Sequence, residues 1–89
     1  MLAAPTQHGR FRVYSDFSAE ALGAALHQLQ KEGEKPIAFA SRVCRGAEVN
    51  MDSPTGELAA MIFALSKFRS YLGYSEFDLI TDSTTVKAL

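Results

Sequence analysis

The chain has 89 residues, enough for one domain with a modest hydrophobic core. Apolar residues make up 47% and charged residues 21%, the balance of a soluble globular protein, and no apolar run approaches the roughly 18 residues of a membrane span. The net charge of −1 excludes a general attraction to polyanions, so a nucleic acid would have to be held by local clusters of Arg and Lys. Cys44 is the one cysteine, which excludes an internal disulfide and a multi-cysteine zinc site and predicts a small buried side chain.

The first nine residues show no periodicity and include one proline and one glycine. We therefore interpret residues 1–9 as a leader or linker and residues 10–89 as the domain. Over residues 11–16 apolar and polar side chains alternate, the pattern of a strand, and the following Asp-Phe-Ser is typical of a turn. Asp16 is thus predicted to lie at the carboxyl end of the first strand.

Residues 21–29 fit two interpretations, because their alanines and leucines favour a helix but also alternate with period two. Gly23 favours the strand. A polar turn with Gly33 at the bend follows, and then the apolar segment 36–43. We predict a hairpin here, and with the first strand an antiparallel meander of three strands.

A helix is predicted to begin at Ser53, as the N-cap, with Pro54 at the first helical position, where its missing N–H costs nothing. Glu57 then lies in the first turn, and Gly73 ends the helix. The apolar stripe expected to face the sheet consists of Leu58, Met61, Ile62, Leu65, Phe68 and Leu72.

Residues 77–82 alternate again and predict a fourth strand that ends at Asp82. Because this strand follows a helical crossover, we expect it to run parallel to the first strand, which sets Asp16 and Asp82 side by side. Residues 83–89 indicate the start of a second helix. The order of elements predicts an α/β fold with a mixed sheet.

Asp16, Glu57 and Asp82 would meet at one edge of this sheet. Neighbouring carboxylates repel one another unless cations lie between them. Two divalent ions roughly 3.5–4 Å apart can activate a water and stabilise a leaving oxygen in phosphoryl chemistry, and magnesium suits all-oxygen ligands. A turn, a helix N-terminus or an N-cap also explains each acid taken alone, so the combination carries the prediction.

Short blocks in a fixed order distinguish the chain: YSDFS at 14–18, LGAAL at 22–26, PIAFASR at 36–42, ELAA and KFRSYL at 57–60 and 67–72, and TDS and KAL at 81–83 and 87–89. Together they resemble the ribonuclease H domain that follows the reverse transcriptase in gypsy-type retrotransposons and retroviruses. The resemblance extends over about residues 10–89 and is far more specific than any single block.

The resemblance implies a ribonuclease H-like mixed sheet and hydrolysis of the RNA strand of an RNA–DNA hybrid. It implies Asp16, Glu57 and Asp82 as catalytic ligands of two Mg²⁺ or Mn²⁺ ions, and an upstream reverse transcriptase domain in a parent polyprotein. It also implies that the family's last strand and helix, with a fourth acidic ligand, are missing from these 89 residues. An intracellular location is expected, in the cytoplasm or a virus-like particle, with the nucleus as an alternative.

For contacts to nucleic acid the sequence offers Ser18, Arg42, Arg45, Asn50 and Lys87. Turns, caps and a solvated surface explain the same residue types. Two other functions stay open: a non-catalytic module of the same fold, from a truncated or domesticated retroelement, and an integrase-like or resolvase-like nuclease. An exposed sheet edge would also allow a homodimer, whereas no membrane partner is expected.

Overall fold

The computed structural model describes residues 2–18, 20–81 and 84–88. Its elements are β1 (Phe11–Phe17), β2 (Ala21–Gln30), β3 (Gly33–Val43), a short 3-10 helix (Gly46–Asn50), α1 (Ser53–Leu72), β4 (Phe77–Thr81) and β5 (Thr84–Ala88). The strands form one sheet in the order β3-β2-β1-β4-β5, and α1 packs against one face of this sheet, mainly on β1 and β2. No helix in the described ranges is long and apolar enough to cross a membrane.

The first three strands form the predicted antiparallel meander. The segment that the sequence left open between helix and strand is β2, because it pairs along its whole length with β3 on one side and from Leu22 to Gln28 with β1 on the other. Gly33 at the hairpin has a φ of 122°, a conformation that residues with a side chain rarely adopt.

β4 returns to the sheet beside β1 after the crossover through α1. The two strands run parallel, from the pair Phe11 and Phe77 to the pair Ser15 and Thr81. This confirms the parallel fourth strand and, with the meander, the predicted α/β class with a mixed sheet.

The last element differs from the prediction of a second helix over residues 83–89. Residues 84–88 form β5, which pairs antiparallel with β4 from Thr84 opposite Thr81 to Ala88 opposite Phe77. Three of its five residues are β-branched, which favours a strand, and β5 covers the backbone groups along the free edge of β4.

The face of α1 that contacts the sheet also differs from the predicted stripe. Phe68 and Leu72 are buried as predicted, but Leu58 and Ile62 are 53% and 61% exposed. The buried positions along the helix are Gly56, Ala60, Phe63, Ala64, Phe68 and Leu72. Small residues on this face let the helix approach the strands closely. The fit of the helix to the sheet, and not the size of its apolar side chains, therefore determines which face is buried.

The core lies between α1 and the inner face of the sheet. Val13 from β1, Leu22 and Leu26 from β2 and Ile37 from β3 are fully buried there. Cys44 is buried at the edge of this core, which confirms its predicted role as a small filler. Burial of these side chains fixes the register of the sheet and with it the positions of the strand ends.

Candidate active site

The carboxyl ends of β1 and β4 lie next to each other, as a site at this edge of the sheet requires. Ser15 pairs with Thr81 in the last parallel pair, and Asp16 is the next residue of β1. Asp16 is exposed, and the alternation along β1 turns it to the face opposite α1. Asp82 follows Thr81 in the sequence but lies outside the described residues, so its predicted position stays a prediction.

The first turn of α1 carries Glu57, whose side chain is exposed. The helix begins one position earlier than predicted: Asp52 is the N-cap, and its Oδ1 accepts a hydrogen bond of 2.9 Å from the Thr55 N–H. Hydrogen bonds from the side chain and backbone of Thr55 hold the pKa of Asp52 below its ordinary value. A carboxylate caps the helix more effectively than Ser53, and this fixes where the first turn begins.

A close contact joins the first turn of α1 to the end of β1. A Cβ added to Gly56 would lie 2.2 Å from Cε2 of the Phe17 ring, far inside van der Waals contact. Any larger residue at position 56 would therefore require the Phe17 ring or the start of α1 to move. Phe17 follows Asp16 and Gly56 precedes Glu57, so the two predicted ligands are each one residue away from the same contact.

The two acids also share an electrostatic property. Within the described part of the chain, neither Asp16 nor Glu57 has a hydrogen bond or an ion pair to its side chain. By contrast, Asp78, Glu34 and Glu48 are bonded to arginines. Asp16 and Glu57 are therefore available to an external cation.

The described residues contain two of the three predicted ligands. Among residues 2–18, 20–81 and 84–88, no group of three or more His, Cys, Asp or Glu side chains could hold a metal ion. A cavity of about 470 Å³ adjoins Asp16 on the outer face of the sheet, with Tyr14 and Ile80 at its sides and Gly23 and Ala25 in its lining. Small side chains on β2 thus leave open space beside the predicted ligand.

The residues predicted to contact nucleic acid have mixed surroundings. The Ser18 Oγ accepts hydrogen bonds from the N–H groups of Glu20 and Ala21, at 3.3 and 3.0 Å, so it serves the turn after β1. Arg45 and Asn50 flank or end the 3-10 helix and are exposed. The side chain of Lys87 lies outside the described part of β5.

Arg42 makes a paired contact with Glu48 rather than facing solvent alone. Its Nη1 and Nη2 each donate to one carboxylate oxygen of Glu48, both at 2.7 Å. These bonds, followed by one from the Arg45 N–H, lower the pKa of Glu48 to about 2. Arg42 thus holds the 3-10 helix against β3, and a phosphate would have to compete with this carboxylate.

Comparisons with known proteins identify the family of the domain. Residues 6–89 match the family model described as "RNase H-like domain found in reverse transcriptase". The chain belongs to this family. It is 34% identical over 82 residues to the retrovirus-related Pol polyprotein from transposon 412 of Drosophila melanogaster, covering 92% of this chain and 7% of that protein. It is 37% identical over 73 residues to the Pol polyprotein from transposon gypsy of the same species, covering 81% of this chain and 7% of that protein.

A solved structure confirms the fold of this RNase H-like domain. The foamy viral protease-reverse transcriptase in complex with dsDNA superposes with a TM-score of 0.78 at 22% identity, over 90% of this chain and 16% of that one. The predicted ribonuclease H-like mixed sheet is therefore confirmed. The domain spans less than a tenth of the length of the Pol polyproteins that it matches.

Sequence reasoning missed two residues that position the site. Asp52 stands directly before the predicted Ser53 cap, and aspartate is as common an N-cap as serine, so the sequence offered both positions. Gly56 gave a weaker signal, since a glycine within a helical pattern indicates a close approach without naming the partner. Phe17 as that partner emerges only from the packing of α1 on β1.

Proposed function

We propose that this RNase H-like domain hydrolyses the RNA strand of an RNA–DNA hybrid, with Asp16, Glu57 and Asp82 as ligands of two Mg²⁺ or Mn²⁺ ions. The supporting observation is the contact of Gly56 with Phe17, which brings the first turn of α1 to the end of β1 beside two unpaired acids. The family supplies the class of domain, and this contact supplies the reason to assign the chemistry to these residues.

The chemistry of Asp16 and Glu57 fits hard divalent cations. Both offer exposed carboxylate oxygens, the ligands that magnesium prefers, and neither would first have to break an ion pair with a described residue. When bound, the ions would supply charge neutralisation and activation of a water. The protein's part is to hold the carboxylates in place, through the buried strand β1 and the capped start of α1.

The proposed partners follow from the same assignment. The substrate is an RNA–DNA hybrid, and the domain acts beside an upstream reverse transcriptase domain of a polyprotein, inside the cell or a virus-like particle. Of the five predicted nucleic-acid contacts, Arg45 and Asn50 are exposed and are the ones we retain first. Dimerisation through a sheet edge stays a prediction; β3 forms one edge of the described sheet.

Cleavage of a hybrid with an end-labelled RNA strand, in Mg²⁺ or Mn²⁺, tests this function. We expect metal-dependent cutting by the 89-residue chain and a loss of at least about 100-fold in Asp16→Asn, because that variant removes one ligand charge. Glu32→Gln is the matched control, since Glu32 is also exposed but lies at the opposite end of β2. It should cut like the unaltered chain.

A magnesium titration followed by NMR separates the two steps of the test. Chemical-shift changes at Asp16 and Glu57 that disappear in Asp16→Asn would support metal binding at the predicted place. A folded chain that neither binds the metal nor cuts the hybrid would contradict the proposal and favour the non-catalytic module instead. Cutting that survives in Asp16→Asn would assign the activity to other residues.

A further inference from the structure

Gln28 is a buried polar residue in an apolar row. It lies in β2 on the core-facing side, after Leu22, Ala24 and Leu26, and it is fully buried. A buried amide without hydrogen-bond partners would be strongly destabilising. The partners of Gln28 therefore show what this position is built to hold.

Its main partners are backbone groups of the segment before β1, and its Oε1 also accepts from the Gln30 Nε2 at 3.0 Å and from the Thr6 hydroxyl at 3.4 Å. The Thr6 N–H donates to the Gln28 Oε1 at 2.7 Å, and the Gln28 Nε2 donates to the Thr6 carbonyl at 2.9 Å and to the Gly9 carbonyl at 2.9 Å. One donor and one acceptor meet the N–H and C=O of a single residue, as the next strand of a sheet would. The Gln28 amide thus binds Thr6 chiefly through the N–H and C=O of the Thr6 backbone.

Further bonds hold the same segment, residues 2–9, which we call the strap. The Gln30 Nε2 donates to the Ala4 carbonyl at 2.9 Å, and the Leu2 N–H donates to the Ile37 carbonyl at 2.9 Å. The fit is close at the other end as well, because a Cβ on Gly9 would lie 2.5 Å from the Leu29 carbonyl oxygen. The strap is bonded at its start, middle and end without regular secondary structure of its own.

We propose that the sheet carries a slot for an extended peptide and that the strap, a segment of the same chain, occupies this slot. Gln28 is the positioning residue of the slot. The chain leading into β1 is thereby held at a fixed place beside β2 and β3. A domain joined ahead of the strap would be attached in a defined orientation instead of by a free tether. That this domain is a reverse transcriptase rests on the proposed function; the slot and its occupant do not.

Amide hydrogen exchange on the full chain tests the slot. In the unaltered chain the Thr6 N–H should be protected although it lies outside any strand or helix. Gln28→Leu replaces the amide by an apolar side chain of similar size and removes its hydrogen bonds, so protection at Thr6 should fall at least about tenfold. The reference is the Cys44 N–H, bonded to the Glu20 carbonyl at 2.8 Å near the other end of β2, which should keep its protection.

Two further variants keep the test decisive. Gln7→Leu changes an exposed residue of the strap and should leave both amides unchanged. Gly9→Ala should also release Thr6, because the added Cβ meets the Leu29 carbonyl and the Gln28 side chain and so displaces the end of the strap.

Three results would overturn the proposal. They are an unprotected Thr6 in the unaltered chain, unchanged protection at Thr6 in Gln28→Leu, and equal losses at Thr6 and Cys44 in both Gln28→Leu and Gly9→Ala. The last would leave Gln28 as an ordinary core residue. The readout needs neither metal nor nucleic acid, so its failure is distinct from a failure of the proposed hydrolysis.

Discussion

The two ends of β1 use charge in opposite ways. At its start, Arg10 donates to Asp78 at 2.7 Å and to Glu76 at 2.9 Å, and Arg12 donates to Glu34 at 2.8 Å. At its end, Asp16 has no such partner in the described part of the chain. The charges at one end of the strand are paired with neighbouring side chains, and the acid at the other end is not paired with any described residue.

Glu34 shows how complete the neutralisation is. Its carboxylate accepts hydrogen bonds from Tyr14 at 2.5 Å and from Arg12, and His27 Nδ1 lies 2.8 Å away. Burial opposes the charged form, but the bonds from Tyr14 and Arg12 hold the pKa of Glu34 below its ordinary value. Acids at this end are bonded to neighbouring side chains on the outer face of the sheet, whereas the acid at the other end has no such bond among the described residues.

The same substitution at the two ends should separate these roles most clearly. Asp78→Asn leaves a neutral amide beside Arg10, with Asp78 only 6% exposed, and should lower the free energy of unfolding by about 2–3 kcal/mol. Asp16→Asn should change it by less than about 0.5 kcal/mol, since no described group loses a bond. Urea denaturation measures both values. Equal losses in the two variants would contradict the division between the ends of β1.

Gly56→Ala should disturb the packing between the first turn of α1 and the carboxyl end of β1. The added methyl collides with the Phe17 ring and should cost about 1–3 kcal/mol from overpacking, partly offset by about 1 kcal/mol of gained helix propensity. Ser66→Ala, at an exposed position of α1, is the control and should be nearly neutral. Restoration of stability by the added change Phe17→Leu would attribute the loss to this contact. A Gly56→Ala variant that is more stable than the unaltered chain would refute it.

Glu48 extends the comparison to a partly exposed pair and gives the smallest effect. Its pKa is lowered from 4.5 to about 2, first by Arg42. Because the folded state favours the carboxylate, this contribution is fully present above about pH 4.5 and is lost as the pH falls toward 2. Thermal unfolding over this pH range should show a shallower loss of stability in Glu48→Gln than in the unaltered chain. Glu32→Gln should follow the unaltered curve, and identical curves for all three would contradict the prediction.

Local sequence patterns predicted most of the fold. Alternating apolar residues predicted β1 and β4, and Pro54 and Gly73 predicted the two ends of α1. These predictions succeeded because each signal depends only on neighbouring residues in the chain. The prediction of a helix after Asp82 was wrong because β5 pairs along the free edge of β4. The predicted buried face of α1 was partly wrong. Leu58 and Ile62 are apolar enough for a core, but the residues that pack against the sheet are largely small ones.

The features of the candidate site also fall into those that the sequence predicts and those that it does not. Asp16 and Glu57 could be predicted, since each is next to a strong local signal, the end of a strand and the start of a helix. The contact of Gly56 with Phe17 could not be predicted, because the two residues are 39 positions apart in the sequence. The role of Gln28 could not be predicted either, since three of its hydrogen bonds are made with backbone groups of the distant strap, which carry no residue signature.

The sequence by itself determined the order of the first four strands and α1, the places of Asp16 and Glu57 in them, and the family. These follow from periodicity, turn residues and ordered motifs, all of which are local. Only the tertiary structure decided which face of α1 is buried, which acids are paired, and that the strap is bound by Gln28. Such choices depend on shape and on hydrogen bonds between distant segments, and neither is encoded in any single stretch of the chain.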